Sequence, residues 1–93
     1  QSSLVYADEA DLLNVALFGI TAKEWRDANS DKKGNIRDYA SLEQLVVLSN
    51  LESINALLIQ QGLSQLDRLV QLNKVAITQM KSLVESSAIQ KLK

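Results

Sequence analysis

The sequence predicts an all-α domain of four helices, a long antiparallel helical hairpin with two shorter helices packed at one end. Three observations lead there. The 93 residues hold three Gly and no Pro, so long stretches carry no helix breaker, and the many turns of a sandwich or barrel lack their usual residues. Apolar side chains recur at helical spacing along two long segments. Finally, the apolar runs are preceded by helix-start signals in which a small polar residue is followed three positions later by an acid or an amide.

Helix one begins after Asp8, where Glu9 and Asp11 place negative charge against unpaired amide donors. Leu12, Leu13, Ala16 and Leu17 follow at helical spacing, and Gly19 offers a left-handed stop, which bounds the helix at Glu9 and Phe18. The preceding Ser3 to Tyr6 reads as extended. Thr21 and Glu24 form a capping box flanked by Ile20 and Trp25 at the positions of a hydrophobic staple, so helix two starts there and ends near Ala28. Asn29 to Asn35 is a polar loop rich in turn formers.

Ser41 and Gln44 make a second box, and nothing breaks the helix from Leu42 to Gln61 before Gly62 ends it. Its first half is apolar almost all round, through Leu42, Leu45, Val46, Val47 and Leu48. Such a stretch calls for cover on several sides, which makes this the expected central helix. Ser64 to Asp67 opens helix four, and the brevity of Gly62 to Ser64 forces a sharp reversal. Along helix four, Leu66, Leu69, Val70, Asn73, Ala76, Ile77, Met80, Leu83 and Val84 fall at heptad positions a, d and e. Except for Ala76, these residues form the candidate seam of a hairpin or dimer. Beyond Val84 the apolar signal weakens, and residues 85–93 are expected to fray.

Composition narrows the function. The chain has no Cys and no His, which removes thiol nucleophiles, zinc–thiolate sites and the commonest general base together. No carboxylate pair is placed opposite a nucleophile or base, so no catalytic residue, metal ligand or cofactor site is assigned. A formal net charge of -1 gives no attraction to nucleic acid or to an anionic membrane. No membrane span is expected, nor a small-molecule ligand.

Some features imitate functional motifs. Asp27 to Asp31, with Asp38 at the twelfth position, opens like a calcium loop, but Lys32 stands where the sharp turn requires Gly and Lys33 adds positive charge. The turn at Gly19 before helix two imitates a helix-turn-helix, but Glu24 and Asp27 lie beside Lys23 and Arg26 on the would-be recognition helix. Trp25, Arg26, Arg37, Asp38 and Tyr39 concentrate side chains suited to an interaction site. The favoured alternative for them is structural, with Trp25 anchoring the staple and an arginine pinning the loop to a carboxylate. Asn14, Asn50, Asn55 and Asn73 interrupt apolar faces. Asn73 is equally suited to fixing a helix register and to a local role, whereas local capping or a solvated edge is favoured for the other three.

The runs Tyr6–Gly19 (YADEADLLNVALFG), Thr21–Asn29 (TAKEWRDAN), Gly34–Ala40 (GNIRDYA), Gln44–Glu52 (QLVVLSNLE) and Gln61–Gln65 (QGLSQ) resemble, collinearly, the C-terminal region of bacterial and phage-type proteins that carry a KilA-N DNA-binding domain. The resemblance covers Tyr6 to Leu83. It implies that residues 1–93 form one helical accessory domain of a longer protein, and the chain opens on Gln1 rather than Met, as such a piece would. The resemblance further implies a prophage or mobile-element setting in the bacterial cytoplasm, with DNA bound only through a domain absent from this chain. The expected task is contact with a protein partner, foremost a second copy of itself. The alternative is an auxiliary nucleic-acid module using helix two and the 30–38 loop.

Overall fold

The computed structural model describes residues 8–92, with side chains through residue 85. The segment expected to be extended, Ser3 to Tyr6, lies outside the described residues. The elements are α1 (Glu9–Phe18), α2 (Ala22–Ala28), a 3-10 turn (Ile36–Tyr39), α3 (Leu42–Gln60) and α4 (Gln65–Leu92), with no strand among the described residues. The fold is all-α, and α3 and α4 form the hairpin.

Side-chain chemistry sets each boundary. Asp8 accepts from the Asp11 amide at 2.9 Å, and Gly19 closes α1 at φ 83°, a left-handed conformation that costs glycine nothing. Thr21 and Glu24 satisfy each other's backbone donors at 3.1 and 2.8 Å, and Ser41 and Gln44 do the same at the start of α3. Ser64 Oγ accepts from the Asp67 amide at 3.2 Å at the start of α4. The 3-10 turn has a reciprocal box of its own: Asn35 accepts from the Arg37 amide, and Asp38 accepts from the Asn35 amide.

Three helices build the core. Leu12, Leu13 and Ala16 of α1 meet Val47, Leu48, Leu51 and Leu58 of α3 and Leu72 and Ala76 of α4. Helix α1 runs parallel to α4 and antiparallel to α3, since Glu9 touches Arg68 while Ala16 touches Asn73. With ten residues against 28, α1 flanks only the first half of α4, beside the hairpin turn. The molecule is thin, 17 Å along its shortest axis, so the core is shallow.

This thinness corrects one expectation. The apolar first half of α3 is not covered on several sides, because Leu42 is 74% exposed and Leu45 and Val46 are also exposed. Only the face bearing Val47, Leu48 and Leu51 is buried, against α1 and α4. Over its 19 residues α3 is long and apolar enough to cross a membrane by length and composition, although its inner face is used here in helix packing.

Candidate interaction surface

A polar knot fixes the end of the hairpin from which the candidate surface starts. Arg68 is buried at 7% exposure. Its Nη2 donates to Glu9 Oε2 at 2.8 Å, its Nε to Asn55 Oδ1 at 3.0 Å, and its Nη1 to the Leu63 carbonyl at 2.7 Å. Asn55 Nδ2 in turn donates to Glu9 Oε1 at 2.8 Å, and Gln65 Nε2 approaches Glu9 Oε2 at 3.4 Å. Partial burial disfavours the ionised form of Glu9. The bonds from Asn55, Gln65 and Arg68, reinforced by the Arg68 charge, outweigh that penalty and hold its carboxyl below the ordinary value.

The knot was not legible as such in the sequence, because its members lie on α1, α3 and α4. It overturns the reading of Asn55 as a local cap or solvated edge: Asn55 is buried and bridges two elements. Asn14 departs from that reading too, being buried with an Oδ1 that has no hydrogen-bond partner. Asn50 fits the solvated-edge reading and donates to Gln79 Oε1 across the hairpin at 3.0 Å.

The loop candidates divide among separate local roles. Trp25 and Tyr39 pack ring against ring at 5.2 Å, Tyr39 Oη donates to the Lys33 carbonyl, and the Lys32 ammonium sits 5.4 Å from the Tyr39 ring centroid. Asp38 caps the 3-10 turn. Arg37 reaches Glu52 of α3 at 3.8 Å, with both groups largely solvated, so the pair contributes little. Arg26 points elsewhere and lines a shallow cavity of about 350 Å³ with Ala10, Asn14, Ala22 and Arg37. Of the structural alternative, an arginine does pair with a carboxylate, while Trp25 packs on Tyr39 of the 3-10 turn. Two of the would-be calcium ligands are engaged elsewhere: Asp27 pairs with Lys23 at 3.0 Å, and Asp38 serves the cap. The Asn35/Asp38 box is a signal legible in the sequence for the 3-10 turn.

Helix α4 sorts the remaining candidates into two seams. Leu72 and Ala76 lie in the core and Leu69 and Leu83, partly buried, pack against it, so Leu69 and Leu83 do not stand on a free surface. Met80 is likewise partly buried against that core. Leu66, Val70, Ile77 and Val84 point outward, at 48%, 47%, 61% and 54% exposure. Asn73 lies among them and donates to the Ala16 carbonyl at 2.9 Å, so its amide secures the end of α1 inside the same chain. Taken in order, Leu66, Val70, Asn73, Ile77, Met80 and Val84 repeat at alternating steps of four and three, the spacing of a coiled-coil seam. The seam continues past the end of α1, where no described element of the fold lies over Ile77 or Val84.

The sequence matches no protein-family model, and neither a curated protein nor a solved structure matches it.

Proposed function

We propose that this chain is a non-catalytic protein–protein contact domain that pairs two copies of itself through the outer seam of α4. One observation carries the reading: four large apolar side chains stand solvent-exposed at coiled-coil spacing on a single helix. A lone exposed leucine is ordinary, but a heptad-spaced row that runs past its neighbouring helix is what a partner helix needs. In the setting implied by the resemblance, each copy would be the accessory domain of a cytoplasmic bacterial or prophage protein whose KilA-N part contacts DNA. Pairing would then present two readers to a two-part site without any new base contact.

Sedimentation equilibrium tests the proposal. The chain self-associates at high micromolar concentration, and Ile77→Lys abolishes the association while leaving the helical circular dichroism spectrum intact. A strict monomer at that concentration ends the homodimer reading.

The loop's charge pattern weighs against an auxiliary nucleic-acid module. Lys23 and Arg37 are paired with carboxylates and Glu24, Asp27, Asp31 and Asp38 lie in the same region as Arg26, Lys32 and Lys33, so the positive charge offered to phosphates is offset by acids nearby. Titration of short duplexes at low salt checks this. Binding that weakens steeply as salt rises would revive the module.

A further inference from the structure

We infer that the occupant of the outer seam is a second α4 running antiparallel, in a register that places Leu66 of one copy against Val84 of the other. The inference rests on the self-association proposed above and adds its direction and register. It is argued from how charge is distributed beside the seam. With Val70, Ile77 and Val84 at a and Leu66, Asn73 and Met80 at d, the two flanks of the seam are unlike. One flank carries Leu69, Ala76 and Leu83, which pack into the chain's own core. The other carries Asp67, Lys74 and Lys81, all exposed, and none of them joins an ion pair among the described residues.

In a parallel pair each flank lies beside the opposite flank of its partner. The charged flank would then be pressed against the side bearing Leu69, Ala76 and Leu83, desolvating Asp67, Lys74 and Lys81 with no counter-charge. In an antiparallel pair like flanks meet. Matching a positions with d positions then sets Leu66 against Val84, Val70 against Met80 and Asn73 against Ile77, twice over by symmetry. The same register brings Asp67 beside Lys81 at both ends of the seam and leaves only Lys74 near its own copy at the centre. Two opposite-charge contacts therefore replace a buried charged flank.

The antiparallel arrangement also suits the shape. Helix α1 covers only the first half of its own α4, so reversal of the partner sets the bare second half of each α4 beside the α1-bearing half of the other. Asn73 faces Ile77 with its amide already bonded to the Ala16 carbonyl, which lowers the cost of placing it opposite an apolar residue.

Cysteine variants distinguish the geometries, because the chain has no Cys of its own and Leu66 and Val84 are both exposed. Leu66→Cys and Val84→Cys chains are prepared separately, oxidised mildly alone and as an equal mixture, and compared with the unsubstituted chain in sedimentation. Antiparallel pairing cross-links the mixture and neither variant alone, since like positions then lie about 27 Å apart along the axis at about 1.5 Å per residue. Cross-linking of either variant with itself overturns the inference in favour of parallel pairing. A dimer with no cross-link in any combination overturns the seam assignment while self-association stands, and a strict monomer removes both. Charge reversal gives an independent reading: Asp67→Lys weakens the dimer roughly threefold to tenfold, and Asp67→Lys with Lys81→Asp restores it. Failure of the double variant to recover also counts against the antiparallel register.

Discussion

Arg68 and Glu9 meet at 2.8 Å across 59 positions of sequence, tying the first turn of α1 to the first turn of α4. The guanidinium is buried, whereas the carboxylate is 42% exposed. Removing the arginine therefore leaves Asn55 Oδ1, the Leu63 carbonyl and a partly buried carboxylate without their donor. Arg68→Met is expected to destabilise the chain by about 2–3 kcal/mol, below the range for fully buried pairs because Glu9 keeps access to water. Urea denaturation monitored by circular dichroism measures it. A change below about 0.5 kcal/mol would mean that the knot is incidental to stability.

Acid should loosen the same contact. The carboxyl of Glu9 is held below its ordinary value of 4.5 in the folded chain by the bonds from Asn55, Gln65 and Arg68. A depressed folded pKa means that the stabilisation is fully present above about 4.5 and is lost as pH falls through the lower, folded value. Glu9→Gln keeps the side-chain volume and removes the titration. Its denaturation midpoint is thus expected to fall less steeply between neutral pH and pH 3 than that of the parent chain. Parallel pH profiles would contradict the assignment.

Two glycines with similar backbones should respond differently to alanine. Gly19 has φ 83° and open space around a would-be Cβ, so Gly19→Ala carries the left-handed backbone cost alone, about 1 kcal/mol. Gly34 has φ 90°, and a Cβ there would collide with the Asp38 carboxylate that caps the 3-10 turn. Gly34→Ala adds the loss of that cap, for about 2 kcal/mol in all. Thermal melts of the two variants side by side check the order.

The two seams of α4 should separate in mutagenesis. Leu72 is fully buried, and Leu72→Ala is expected to cost about 3 kcal/mol through a cavity in a shallow core. Ile77 is exposed, and Ile77→Ser should leave the stability of the monomer within about 0.5 kcal/mol while weakening self-association. Denaturation at low concentration and sedimentation at high concentration give the two readings independently.

Local chemistry made most of the fold legible. The Asp8 cap, the boxes at Thr21 and Ser41, and the stops at Gly19 and Gly62 act within a few residues, so α1, α2 and the start of α3 follow directly from sequence. What sequence could not resolve was which apolar stripe of α4 the fold consumes. Leu69 and Leu66 are equally hydrophobic and three positions apart. Only the docking of α1 and α3 decides that the first faces inward and the second outward. The Glu9–Asn55–Arg68 knot was hidden for the same reason. An asparagine inside an apolar run looks the same from sequence whether it faces solvent or bridges two distant charges.

The parallel course of α1 and α4 has a kinetic corollary. The α3–α4 hairpin closes over a four-residue turn and can collapse at the pace of local contacts, whereas α1 must wait for its groove and then bring Glu9 back to a residue 59 places away. Ordered assembly, hairpin before docking, is the expectation that follows, and a refolding trace in which α1 docks first would contradict it.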